Sequence, residues 1–202
     1  MKAPMCVPVT MTFHRARAQG LVVDGALVHS MAEYLLNDGH REHAPVFLQR
    51  IGLSVHALIA PDGMIYTGPP PERVCFHAGK SRFLDRENLN DTFLGCEFLV
   101  AGAHDYRTFL AAISDPEHAP YTAAQYDAGG WLYAGWSLRY PGITRARIVG
   151  HEAVSGKDVR PTDPKQDPGL AFDWSAFWRA YDAWYGVLTM AKTPRHTEAL
   201  QS

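Results

Sequence analysis

Apolar and polar residues alternate from Val7 to Phe13, where Val7, Val9, Met11 and Phe13 are separated by Pro8, Thr10 and Thr12. A period of two predicts a strand, and Pro8, which cannot donate to a ladder, places it at a sheet edge. Ala26-Leu27-Val28-His29 is a second short apolar run, stopped by Ser30-Met31-Ala32-Glu33. Serine followed three residues later by glutamate has capping-box spacing, so a helix is expected from Ser30, with His29 at the strand-to-helix junction. Leu53 to Ala60 predicts another strand, Pro61-Asp62-Gly63 a tight turn, and Met64-Ile65-Tyr66 the return strand. Phe93 to Val100 is almost continuously apolar, broken only by Gly95 and Glu97, which predicts a central strand covered on both faces. Thr122-Ala123-Ala124-Gln125 is a second capping box, opening a helix that Pro141-Gly142 closes. Ile148-Val149-Gly150 is a short strand ending on His151. Asp173 caps a last helix, on which Trp174, Phe177, Trp178, Tyr181, Trp184 and Tyr185 recur at helical spacing and are expected to face the core. Interleaved strands and helices predict an α/β fold, a single domain with a central mixed sheet flanked by helices. Residues 1–25 read as an edge strand and lead-in, 26–191 as the main domain, and 192–202 as a polar tail.

Composition narrows the function more than the fold. The 202 residues are 47% hydrophobic and 20% charged, with a net charge of -2, which argues against a phosphate-backbone binder. No apolar stretch approaches the length of a membrane span. The three cysteines are odd in number and widely spaced, which suits a reducing compartment better than a disulfide framework. Pro4 and Pro8 interrupt the apolar N-terminus, and Arg15 and Arg17 sit where an export signal would be neutral, so cytoplasmic residence is expected. The count that stands apart is 10 histidines, since histidine is the commonest metal ligand.

Several familiar signatures fail. Gly79-Lys80-Ser81 resembles the end of a phosphate-binding loop, but Val74 stands where its first glycine is needed. His151-Glu152 opens like a zinc-protease helix, but Ser155 replaces the second histidine. What remains is positional. His29 and His151 end predicted strands, where open α/β sheets place their sites. Glu97 lies inside an apolar strand, where a carboxylate is costly unless used or paired. The irregular loop after His151, 157–169, carries aspartates that could return to a metal. Two histidines and one carboxylate leave one position of a tetrahedral zinc open for water.

At this point the residues carry a resemblance. Leu53-Ser54-Val55-His56-Ala57-Leu58-Ile59 with Asp62-Gly63, then Phe76-His77-Ala78-Gly79, Asn90-Asp91 leading to Gly95-Cys96-Glu97, Tyr121-Thr122 with Gln125-Tyr126, Gly150-His151, and Asp167-Pro168-Gly169 with Phe172-Asp173-Trp174 form an ordered set. The set resembles the zinc-dependent N-acetylmuramoyl-L-alanine amidases of the AmpD-like group, relatives of the peptidoglycan recognition proteins, over about residues 26 to 178. The resemblance implies zinc ligands at His29, His151 and Asp167. His14, which also ends a strand, competes for the first place, and Asp163 for the last. The flanking Ser30 capping box favours His29, and the run from Asp167 into Phe172-Asp173-Trp174 favours Asp167. Glu97 then matches the catalytic carboxylate and Lys165 the active-site lysine, while His77, Phe76 and Asn90 match cleft residues that would contact substrate. Phe76 departs from the family's usual tryptophan, and Val55 stands where another branch carries a catalytic tyrosine. Residues 102–120 are longer than a minimal member needs and are expected to form a lip over the cleft.

The implied reaction is hydrolysis of the amide between the lactyl group of N-acetylmuramic acid and L-alanine, on peptidoglycan or soluble muropeptides, by a monomer using zinc. Two alternatives are a non-catalytic peptidoglycan-binding module and a metal amidase for another acylated amine. A released phage-type lysin or exported effector is the alternative to a cytoplasmic enzyme. His56 is expected in a core or supporting role, and His40, His43, His104, His118 and His196 in solvent.

Overall fold

The structure, a computed structural model, describes residues 1–35 and 41–192. In chain order its elements are β1 (Cys6–Pro8), β2 (His14–Ala16), β3 (Gly25–Leu35), β4 (Arg41–Glu42), α1 (Ala44–Arg50), β5 (Ala57–Ile59), β6 (Ile65–Thr67), β7 (Arg73–Cys75), β8 (Arg82–Phe83), β9 (Arg86–Glu87), β10 (Phe93–His104), α2 (Tyr106–Ile113), α3 (Ala123–Arg139), β11 (Ile148–Gly150), α4 (His151–Ser155) and α5 (Trp174–Lys192). The main sheet runs β1-β6-β5-β10-β3-β11, with β4 added to the end of β3. Its centre is parallel (β5, β10, β3, β11), while β6 pairs antiparallel to β5 and β1 lies parallel to β6. This is the expected α/β class with a mixed sheet.

One face of the sheet carries the main core. Val28, Ala32, Cys96 and Phe98 meet Tyr133 and Trp136 of α3 and Phe177, Tyr181 and Trp184 of α5. The aromatic stripe of α5 is thus core for Phe177 and Trp184, which are fully buried, while Tyr185 faces outward. Of the three predicted caps, those at Thr122 and Asp173 form. Thr122 Oγ1 accepts from the Gln125 N–H and Gln125 Oε1 from the Thr122 N–H, each at 3.1 Å. Asp173 Oδ1 accepts from the N–H groups of Ser175 and Ala176 at 2.9 and 3.0 Å. Such caps are worth about 1 kcal/mol each.

The helix expected at Ser30 does not form; β3 continues as a strand to Leu35. The reason is non-local: β10 runs parallel beside it, pairing Phe98 with Ser30, Leu99 with Met31 and Val100 with Ala32. Pairing and burial override the local capping preference. His29 consequently stands inside a strand, not at its end. The alternating segment 7–13 also divides, with Cys6–Pro8 joining the edge of the main sheet and His14–Ala16 pairing with β7 in a separate ribbon. The strand expected over Leu53 to Ala60 is confined to Ala57–Ile59. The polar tail, and His40 and His196, lie outside the described residues apart from Lys192, the last residue of α5.

Candidate metal centre and cleft

The parallel register builds the site. Gly150 pairs with Val28, so His151, the next residue, falls beside His29. Glu97 pairs directly with His29 on the other side. His29 and Glu97 therefore lie side by side on β3 and β10, and His151, the first residue of α4, extends the row from the end of β11, on the face away from α3 and α5. Along β3 the period of two sends Val28 and Ala32 into the core and leaves His29 and Met31 facing the cleft.

Asp167 reaches the row from a loop. Its Oδ2 lies 3.1 Å from His151 Nδ1 and 3.3 Å from His29 Nδ1. The loop is held from three sides. Asp167 O accepts from the Glu152 N–H at 3.0 Å, and the Tyr121 hydroxyl donates to Pro168 O at 2.7 Å. Gly169, at φ +84, lies against α2, where a Cβ would approach Ile113 O to 2.3 Å. His29, His151 and Asp167 offer donor atoms all within 4.8 Å of one another. A tetrahedral zinc bonded at about 2.0–2.1 Å keeps neighbouring donors roughly 3.3 Å apart, and the Asp167 oxygen lies at 3.1 and 3.3 Å from the two histidine nitrogens, separations that suit that ion.

The alternatives are elsewhere. His14 Nδ1 accepts from Arg73 Nε at 3.0 Å in the β2–β7 ribbon, and Asp163 is an exposed partner of Arg160. The flanking run into Phe172-Asp173-Trp174 favours Asp167 over Asp163 in the sequence, whereas the Ser30 helix start that favoured His29 over His14 is strand in the fold.

Burial sets the protonation states. It lowers the His29 pKa to about 4, helped by the neighbouring His151 and opposed by Asp167, so the ring is neutral at pH 7 with a lone pair to give. Burial alone would raise Asp167, but His151 and His29 against it hold its carboxyl well below the usual range. Glu97 goes the other way. Burial pushes it well above the ordinary carboxylate range, Asp167 adds to the rise, and Lys165 opposes it. Its Oε2 is buried with no hydrogen-bond partner among the described residues. Two carboxyls in one site with opposite shifts is the pattern of one charged ligand and one proton carrier.

These groups line one wall of a cavity of about 520 Å³, together with Lys165 and His77. Much of the remaining lining is apolar: Met31 beside His29 on β3, Tyr34 further along it, Phe47 and Leu48 from α1, and Tyr106, Phe109 and Leu110 from α2, with Arg50 and Asp105 as its charged members. The segment 102–120 thus supplies a cleft wall through α2. Of the three expected substrate contacts, His77 lines the cavity, whereas Phe76 and Asn90 do not. Asn90 Oδ1 accepts instead from the N–H groups of His77 and Ala78, at 3.0 and 2.8 Å. His56 is buried behind, its Nδ1 accepting from the Gly95 N–H at 3.1 Å. His43 and His118 are exposed and His104 half-buried. The apolar wall was not legible in the sequence, because its residues come from three elements and no spacing links them.

No helix among the described residues is long and apolar enough to cross a membrane. Among known proteins, the chain is 32% identical over 130 residues to the 1,6-anhydro-N-acetylmuramyl-L-alanine amidase AmpD of Enterobacter cloacae, covering 64% of this chain and 58% of that protein. It is 33% identical over 138 residues to AmpD of Haemophilus influenzae, covering 68% and 62%. The chain therefore spans about three-fifths of the length of these relatives. In fold it is similar to a crystal structure of a selenomethionine AmpD derivative, with a TM-score of 0.59 at 23% identity over 89% of this chain and 95% of that one. A Pseudomonas aeruginosa AmpDH3 structure in complex with anhydromuramic pentapeptide gives a TM-score of 0.58 at 24% identity, covering 86% of this chain and 69% of that one. The sequence profile described as N-acetylmuramoyl-L-alanine amidase matches residues 19–170, a span that contains the clustered His29, His151 and Asp167 as well as Glu97 and Lys165. By that match the chain belongs to the N-acetylmuramoyl-L-alanine amidase family.

Proposed function

We propose that this chain is a zinc-dependent N-acetylmuramoyl-L-alanine amidase. It hydrolyses the amide between the lactyl group of muramic acid and L-alanine in small peptidoglycan fragments. The observation that carries the reading is the row of Glu97 on β10, His29 on β3 and His151 just past the end of β11, with Asp167 closing on both histidines. Relatives named for action on 1,6-anhydro-N-acetylmuramyl-L-alanine support the substrate class. All the groups come from one chain, so a monomer suffices. The cysteines Cys6, Cys75 and Cys96 are all free, which supports cytoplasmic residence.

His29, His151 and Asp167 would hold zinc through one ring nitrogen of each histidine and one carboxylate oxygen. When bound there, zinc lowers the pKa of a water toward about 7 and polarises the substrate carbonyl. Glu97 takes the proton of the attacking water and delivers it to the departing L-alanine nitrogen. Its raised pKa suits both halves of that transfer. The ammonium of Lys165, which lines the same wall, stabilises negative charge growing on the carbonyl oxygen. Water's oxygen ends on the lactyl carboxylate and its hydrogen on the amine. The apolar wall of Phe47, Tyr106 and Phe109 takes the less polar faces of the sugar and peptide.

Glu97 also favours catalysis over simple wall binding: a buried carboxylate oxygen without a partner is costly to keep in a module that only binds. The test is mass spectrometry of an anhydro-N-acetylmuramyl tripeptide incubated with the zinc-loaded chain, beside intact sacculi. The reading expects a free peptide beginning with L-alanine, released faster from the soluble fragment. Cleavage at any other bond, or none, contradicts it.

A further inference from the structure

His29 and His151 each turn Nδ1 toward Asp167, which leaves two Nε2 atoms facing into the protein. Both end on consecutive residues of one loop. His151 Nε2 lies 3.1 Å from Ala78 O, and His29 Nε2 lies 2.9 Å from His77 Nδ1. His77 Nε2 in turn lies 3.3 Å from Phe93 O. A backbone carbonyl can only accept, and this decides every proton in the chain. Phe93 O requires the His77 proton on Nε2, so His77 Nδ1 must accept from His29. His29 then carries its proton on Nε2 and keeps a lone pair on Nδ1. Ala78 O imposes the same form on His151.

The dipeptide is itself fixed. Asn90 Oδ1 holds the N–H groups of both His77 and Ala78, and the Ser155 hydroxyl donates to Lys80 O at 2.7 Å and lies 3.1 Å from Ala78 O. The His77 ring fits only because residue 95 is glycine: a Cβ there would lie 2.5 Å from His77 Nδ1. His77 is 7% exposed and has both ring nitrogens engaged within the protein.

We propose that the His77–Ala78 dipeptide, clamped by Asn90, is a positioning element that sets the orientation and tautomer of both histidine ligands. His77 acts through His29 and does not recognise substrate. Partners of this kind typically change metal affinity 10–100-fold. The inference rests on the zinc reading above.

Leucine and asparagine have nearly the same shape, and Asn Oδ1 falls near the place of His Nδ1. The test is therefore the zinc dissociation constant, by chelator competition, of the wild-type chain, H77N and H77L. The expected result is H77N within about fivefold of wild type and H77L weaker than H77N by at least tenfold. Equal affinities of the two variants would overturn the proposal. If neither variant folds, nitrogen-detected imidazole NMR of the zinc-loaded wild-type chain decides. A proton on His77 Nε2 and a bare, accepting Nδ1 support the proposal; a proton on His77 Nδ1 contradicts it. A wild-type chain that binds no zinc would remove the amidase reading and this inference together. A zinc-binding chain that fails the comparison would remove this inference alone.

Discussion

His29 and His151 sit on one side of the cleft with every ring nitrogen engaged, by Asp167, His77 or the carbonyl of Ala78. Phe47 and Tyr106 line the same cleft from two short helices, of seven and eight residues. α1 follows His43, which gives it no side-chain cap, α2 is capped by Asp105, and Tyr106 is 56% exposed. The first wall is over-determined by strand register and buried hydrogen bonds; the second is held mainly by apolar contact. Helices this short have little stability apart from such packing. Chemistry that needs donors placed to a few tenths of an ångström belongs on the first wall. The proposed recognition of a sugar and a variable peptide tolerates the second.

Substitutions should divide along that line. The largest effect belongs to the ligands: His151→Ala and Asp167→Ala should each retain less than roughly a tenth of an equivalent of zinc after dialysis, with no measurable turnover. A full equivalent retained by either would break the assignment. Lys165→Met comes next, with zinc kept, KM little changed and kcat down by about 3 kcal/mol of barrier, roughly a hundredfold or more. A change confined to KM would move Lys165 to the recognition wall.

Acid should weaken the rigid side. Burial holds the His56 pKa at about 4, below its ordinary value of 6.5, so the unfolded chain takes up the proton first as pH falls. Stability is therefore intact above pH 6.5 and is lost as pH drops toward 4. His56 alone should account for about 2 kcal/mol between pH 7 and pH 5. Denaturant titrations of wild type and H56Q at the two pH values read this difference; parallel losses in both proteins would contradict it. The smallest effect belongs to the adaptable wall. Tyr106→Ala should raise KM about fivefold, near 1 kcal/mol, and leave kcat within twofold. A large loss of kcat would show that this wall shares in the chemistry.

The same contrast governs what could be read from the residues. Where information is local, reading succeeded: the Thr122 capping box, the Asp173 cap, the apolar run of β10 and the aromatic stripe of α5. Where it is carried by a distant strand, reading failed: Ser30 has the spacing of a helix start, but β10 makes it strand. His29 and Asp167 are favoured in the sequence by resemblance of flanking motifs, and in the fold His14 and Asp163 are partnered elsewhere, by Arg73 and Arg160. The supporting role of His77 was invisible because its partners lie 48 and 16 residues away.

The central claim is that binding of the metal and movement of the proton are assigned to different residues of one row. Glu97→Gln, with zinc content and turnover of a soluble muropeptide measured on the same preparation, separates the two. One zinc per chain with turnover reduced roughly 10²–10⁴-fold is the predicted result. One zinc per chain with turnover near wild type would contradict it.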